Sequence, residues 1–361
     1  MRMIQSYRRF LPIPIGSRTL KTGISVFITA LICQLLHLPV IFAVITAIVT
    51  VEHTAFDSIR KAMIRFPASA IGAFLAVSFY GLFGKSAITY ALAAMMTIAV
   101  CHKLKLDEGI VVATLTAVAM IPEFQSNYLV SFFVRLGTTS IGIIVSTAVN
   151  FFLLPPDYTK NIYKNVSDLY QLTAHLLVQT SRWLFKEDHI KKHRLDLSYK
   201  QITREMEQTY KWIQYQREEW KYHKHSKNEM KVFQHAQKKL NLLQQILYHL
   251  GNLHYIQLKE HSFKQEEKKL LQSIVYSISV ILKTPDHHIP DEHFKKIKQL
   301  DEEFWHWKEE HVCQTPEKYQ HHFPPETIVL YEILCLHDVL EELHQLANNR
   351  DQINVDDSNN S

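Results

Sequence analysis

Cysteine is scarce in this chain: four among 361 residues, alone at positions 33, 101, 313 and 335, with no C-x-x-C pair. That spacing suggests neither a disulfide framework nor a zinc knuckle. Glycine is nearly as rare, nine in all, and only Gly251 lies beyond residue 157. No phosphate loop, Gly-rich turn or nucleophile signature occurs, so an enzyme is not expected and neither a cofactor nor a metal is called for. Carboxylates are missing where they would matter most. No Asp or Glu falls inside a long apolar run, which argues against a proton or sodium relay built on intramembrane acids.

What is present divides the chain in two. Residues 1–157 are apolar and carry 12 Lys/Arg against 6 Asp/Glu. Residues 158–361 hold the other 28 Lys/Arg, 29 Asp/Glu, 18 of the 21 His and all five Trp. The net charge of +5 therefore belongs to the apolar part. A nucleic-acid partner would call for a basic face on a soluble domain, and none is indicated. Basic residues beside apolar spans instead read as membrane orientation.

Six apolar segments can be marked, at 22–38, 40–51, 67–83, 86–101, 110–121 and 129–154. A straight span needs about 20 residues, so the second and fifth, near 12, are too short alone and must be sheltered or re-entrant. They occupy matching places in an internal repeat with an offset of 70. Arg65 and Gly72 recur as Arg135 and Gly142, and 40–51 falls on 110–121 with Ala43/Ala113, Thr46/Thr116 and Ala47/Ala117 shared. Short segments at corresponding places of two repeats point to a transporter's binding site. Three spans per repeat make the second repeat enter from the opposite side, an inverted pair.

Loop charges agree with six crossings. Lys and Arg are many before the first segment, none at 37–39, many at 60–65, one at Lys85, two at 103–105, none at 122–128 and two at 160–164. That alternation places both termini in the cytoplasm. The arginines ahead of the first apolar run resemble a signal peptide, but no small-residue cleavage site follows, so an uncleaved span is expected.

An arginine at the bilayer centre costs roughly 3 kcal/mol on insertion scales, so charges in or beside the spans are the candidate substrate ligands. These are Arg135, Lys21, Arg65 and Arg18. Against a functional role stand outward snorkelling, capping of helix carbonyls and simple anchoring. Gly23, Gly72 and Gly142 are expected at close helix contacts. Asn150 and Gln34 are expected to bond between helices.

The R-T-x-K-T-G opening (Arg18, Thr19, Lys21, Thr22, Gly23), the Arg135-to-Gly142 spacing and the V-N-x3-L-P-P ending (Val149, Asn150, Leu154, Pro155, Pro156) resemble the aromatic acid exporter family. The likeness is to its short bacterial branch, which has a helical C-terminal domain. It implies a multi-pass protein of the bacterial inner membrane that exports or conducts small organic anions. Plant malate channels of the wider superfamily are similar in layout, with six spans, a cytosolic helical domain, a basic pore and a homodimer. One membrane unit per chain leaves open a pathway completed by two chains.

Beyond Pro156, amphipathic helices are expected near 160–186, 195–223, 228–256, 263–283, 291–311 and 325–348. Val329, Ile333, Leu336, Leu340 and Leu343 recur at three- and four-residue steps, as a buried face requires. Residues 158–348 thus read as a cytosolic helical bundle, and 349–361, rich in Asn and Asp, as a disordered tail. The five Trp are expected in the core or at a dimer contact, and the His pairs at 223/225, 287/288 and 321/322 on solvated faces. The expectation is all-α: a transmembrane domain, 1–157, followed by this bundle. A gated anion channel and a membrane-anchored interaction protein are the alternatives to an exporter.

Overall fold

The computed structural model describes residues 16–123, 128–153, 156–187, 191–259, 262–314 and 323–359, and every regular element among them is helical. The all-α expectation holds. Arg2, Arg8, Arg9, Leu154, Pro155, His321 and His322 lie outside the described residues. The chain divides into two compact units, 1–157 with 215–224, and 158–214 with 225–361.

The first unit holds α1 (Ser17–Leu35), α2 (Val40–Thr50), α3 (Ala55–Phe83), α4 (Ala87–Lys103), α5 (Ile110–Met120) and α6 (Tyr128–Phe152). Thr54 caps α3 by accepting from Asp57 N, and Ser86 caps α4 by accepting from Thr89 N. α3 begins well before Pro67, so Arg60, Lys61 and Arg65 are helical where their charges suggest a loop. Neighbouring acids explain the difference: Lys61 lies 2.9 Å from Asp57 and 3.3 Å from Glu52, and Arg65 lies 2.6 Å from Glu52.

Successive helices run in opposite directions. At one end, Lys21 of α1 bonds Asn150 near the end of α6, and Asn150 bonds Ser58 near the start of α3. Ser58 lies 3.4 Å from the Thr50 carbonyl that closes α2, and Arg65 reaches the Glu108 carbonyl ahead of α5. At the other end, the rings of Tyr80 and Tyr128 meet at 5.7 Å. Met120 and Ile121 pack there with Tyr80, Tyr90 and Phe132.

The two triplets map onto each other. α3 packs on α5 as α6 packs on α2, α1 on α2 as α4 on α5, α3 on α4 as α6 on α1, and α3 meets α6 at the centre. Single residues repeat the exchange. Gly72 faces the Ala113 carbonyl while Gly142 faces that of Ala43. Adding 70 to one member and subtracting it from the other also turns Tyr80–Tyr128 into Asn150–Ser58. α3 and α6 meet with the start of one beside the end of the other, at Tyr80–Tyr128 and at Ser58–Asn150.

The first helices of the triplets obey an offset of 68 instead. α1 buries Lys21, Ser25, Thr29 and Cys33, and α4 buries Thr89, Ala93, Thr97 and Cys101. Both end in the same left-handed cap, His37 at φ 55° and Lys105 at φ 58°. Leu38 N donates to Cys33 O and Leu106 N to Cys101 O, each at 2.9 Å, the six-to-one bond of a Schellman turn. Pro39 then corresponds in sequence to the Asp107–Gly109 turn, a two-residue insertion that restores the offset of 70 from Val40/Ile110 onward.

Packing in this unit is the reverse of a water-soluble core. Buried positions are small or hydroxylated: Ala43, Ala47, Ala68, Ala113, Ala117, Ser69, Thr116 and Thr139. Phe27, Leu35, Ile41, Leu82, Leu129 and Phe152 are each at least 69% exposed. Such an exterior is costly in water and unremarkable against lipid tails, where small residues let helices approach closely. α3 and α6 are long and apolar enough to cross a membrane by length and composition. The short α2 and α5 present Ile41, Ile45, Ile48, Val111 and Leu115 outward in the same way.

The second unit contains α7 (Thr159–Leu184), most of α8 (Lys192–Glu219), α9 (Lys227–Tyr255), α10 (Gln265–Lys283), α11 (Asp291–Gln314) and α12 (Pro325–Asn359). Its core is of the ordinary aqueous kind, with Leu240, Leu243, Leu250, Ile274, Ile278, Leu336, Leu340 and Leu343 fully buried. Ser226 and Glu229 close a capping box on α9. The backbone of α12 continues past Asn348, where composition leads one to expect disorder. Trp305 is half-exposed, and His287 and His293 are buried rather than solvated.

Candidate functional site

Two polar clusters stand inside the first unit, and three of the four candidate cations divide between them. Lys21 and Arg65 belong to the first. Lys21 Nζ donates to Asn150 Oδ1 at 2.9 Å and to Asn150 O at 3.3 Å. Asn150 Nδ2 donates to Ser58 Oγ at 2.6 Å, Thr54 O at 3.0 Å and Glu52 O at 3.2 Å. Arg65 pairs with Glu52 and also donates to Val49 O and Glu108 O, so its charge is spent on helix ends and one carboxylate. Both cations are buried. Arg18 sits one turn before Lys21 and is exposed; Thr22 Oγ1 donates to its carbonyl.

Acids from far along the chain complete this end. Glu219 Oε2 accepts from Ala55 N at 3.0 Å, and Glu218 Oε2 accepts from Thr54 Oγ1 at 3.0 Å. Burial pushes the Glu219 carboxyl up; the Ala55 N–H, His223 and Lys21 oppose that shift. His223 directs Nδ1 at Glu219 Oε1, 3.1 Å away, and Nε2 at Phe151 O, 3.2 Å away.

Arg135 belongs to the second cluster. It stands seven residues into α6, about 10 Å from that helix's start. Its guanidinium carbon lies 3.6 Å from the centroid of the Phe42 ring, and Nη2 donates to Thr116 Oγ1 at 3.2 Å. Thr116 Oγ1 is in turn 3.0 Å from Ser69 Oγ. The side chain is 5% exposed, so it neither snorkels outward nor reaches solvent along the lipid face. Thr116 and Ser69 have repeat mates, Thr46 and Thr139, which are buried on the facing helices. A guanidinium over an aromatic face with hydroxyls beside it can take a carboxylate and stack an apolar ring.

The repeat places the two arginines in different chemistry. The position matching Glu52 in the second triplet is Pro122, so a carboxylate holds Arg65 while a ring face and a hydroxyl hold Arg135. Of the glycines expected at helix contacts, Gly72 and Gly142 face carbonyls across an interface. Gly23 is exposed, and a Cβ there would meet nothing within 4 Å. Sequence reasoning missed Phe42, Glu52 and Glu219. Glu52 had a signal, as an acid in the connection between α2 and α3 at a position where the other triplet carries Pro122. Among the described residues, no group of three or more His, Cys, Asp or Glu side chains is placed to hold a metal ion.

The chain is similar along most of its length to three bacterial proteins. It shares 47% identity over 334 residues with a UPF0421 protein of Bacillus cereus, covering 92% of this chain and 95% of the relative. The chain belongs to the UPF0421 family. A UPF0421 protein of Oceanobacillus iheyensis is 40% identical over 348 residues, 92% of this chain and 96% of the relative. One of Staphylococcus haemolyticus is 37% identical over 276 residues, 75% and 82% of the two chains. Residues 13–153 match the family model described as aromatic acid exporter family member 1. The resemblance carried by the Arg18–Gly23 motif and the Val149–Pro156 ending is thereby upheld. The matched stretch of this UPF0421 chain holds both polar clusters except for Glu218, Glu219 and His223, and its likeness to an exporter family points to a membrane setting.

Proposed function

We propose that the first unit crosses the plasma membrane six times, as two inverted triplets with both termini in the cytoplasm, and moves small organic anions outward. Aromatic carboxylates are the leading substrate class. The observation that carries this reading is Arg135, a buried cation laid on the Phe42 ring and bonded to Thr116 inside a unit whose exterior suits lipid. The matched exporter model and the short α2 and α5 at equivalent places of two triplets support it. A substrate carboxylate would bond the guanidinium, its ring would share the Phe42 face, and Ser69, Thr116, Thr46 and Thr139 would replace lost water. Lys21 attracts anions to the cytoplasmic end, and Arg65, paired with Glu52, helps hold that end together.

The test is counterflow of labelled benzoate and succinate in reconstituted vesicles. Arg135→Ala is expected to lower benzoate flux roughly ten-fold or more, the loss of one charge-assisted bond, with Arg135→Lys between it and wild type. Equal flux in wild type and Arg135→Ala would overturn the assignment. Steady single-channel currents in a planar bilayer would replace the exporter with a gated channel on the same scaffold.

A further inference from the structure

The last turn of α8 does not belong to the unit that holds the rest of that helix. Residues 215–224 form part of the first unit, and they are fastened there by more than one kind of contact. The Tyr215 ring stacks on His53 at 5.0 Å. Tyr222 packs against Phe56 and Phe151, and Lys221 Nζ lies 3.8 Å above the Phe56 ring. Between these, Glu218 and Glu219 place two carboxylates on the first residues of α3. A helix N terminus favours anions because its first N–H groups and the helix dipole point at them. Here the occupant is the chain's own Glu219, itself 2% exposed, with the ammonium of Lys21 acting on it through space.

We propose that residues 215–224 are an autoinhibitory strap, with Glu219 a tethered carboxylate occupying the site through which a cytoplasmic organic anion enters. The proposal rests on the anion-transport reading above. Its elements are already joined: Ala55 opens α3, Asn150 ties the starts of α1 and α3 to the end of α6, and Glu219 seals the same end. While Glu219 holds the α3 N terminus, a free carboxylate must compete with a partner of high effective concentration. Releasing the strap frees that terminus beside Lys21, whose ammonium stays bonded to Asn150. Because the strap continues directly into residues 192–214 of α8, whatever binds or moves the second unit can pull on it through the chain.

The full chain in proteoliposomes tests this with benzoate as the probe. Glu219→Gln keeps the shape and removes the charge; it is expected to lower the half-saturating cytoplasmic benzoate concentration roughly ten-fold, the worth of one charge-assisted bond. A second readout needs no transport. Ala55→Cys, with Cys313 and Cys335 replaced by serine, puts a thiol beneath the strap, where Ala55 is 1% exposed. Maleimide labelling of that thiol is expected to speed up on adding benzoate, and to be fast without benzoate when Glu219→Gln is combined with it. Labelling that ignores both benzoate and Glu219→Gln would overturn the strap, as would lower affinity in the Gln variant. If no anion flux occurs in any variant but labelling still responds to Glu219→Gln, the transport reading fails and the strap stands as a latch alone.

Discussion

At Gly142 an added Cβ would lie 2.5 Å from the Ala43 carbonyl, and at Gly72 it would come still closer to that of Ala113. Both neighbours are helix backbone and cannot swing away. Gly72→Ala and Gly142→Ala are therefore expected to force α3 from α5 and α6 from α2, each costing about 1–3 kcal/mol. Gly81→Ala and Gly137→Ala, where a Cβ meets nothing within 4 Å, should leave the melting temperature in detergent unchanged. Equal melting of all four variants would contradict the close approach. The arginine-to-glycine spacing was legible in the sequence because the two triplets carry it in register. What each arginine touches was not, since Phe42 and Arg135 are 93 positions apart and only packing brings them together.

Among the elements, the helices of the second unit could be read from the 3.6-residue recurrence of Leu and Ile, because an aqueous core imposes that recurrence. The start of α3 could not: Arg60, Lys61 and Arg65 resemble a loop until Glu52, Asp57 and Glu108 are placed beside them. The buried histidines that follow α10, His287 in the connection and His293 in α11, were equally hidden. His287 Nδ1 lies 2.9 Å from Ile281 O, and His293 Nδ1 lies 2.9 Å from Ser277 Oγ with the His337 ring 5.2 Å away. Desolvation lowers both His287 and His293 to about 4, helped by Lys239 at the first and by His337 and Lys296 at the second. In the unfolded chain both titrate near 6.5. Since the native state binds fewer protons, their stabilising contribution is complete above pH 6.5 and is lost as pH falls toward 4, by up to about 3 kcal/mol per group. Thermal melts followed by tryptophan fluorescence should show this decline, and His287→Gln should flatten it. A melting temperature independent of pH between 7 and 4.5 would contradict the burial of these rings.

For the molecule as a whole, the organising feature of the first unit is the matching set of helix contacts in its two triplets. It gives α2 and α5, at 11 residues each, a protein environment on one side and an apolar face on the other, so that shortness and exposure no longer conflict. Loop charges lead one to expect an alternating path through a membrane, because Lys and Arg favour its cytoplasmic side. The strap at 215–224 left no such trace, since Glu and Tyr at the end of an amphipathic helix look like any solvated face. Side-specific cysteine labelling in intact cells decides whether two mutually inverted triplets cross the bilayer six times. Lys85→Cys lies in the exposed turn between α3 and α4, and Lys103→Cys is exposed at the end of α4. The account predicts that an impermeant maleimide added outside modifies the thiol at 85 and leaves the one at 103 untouched until the cells are opened. Modification of both from the same side, or of 103 alone from outside, would contradict it.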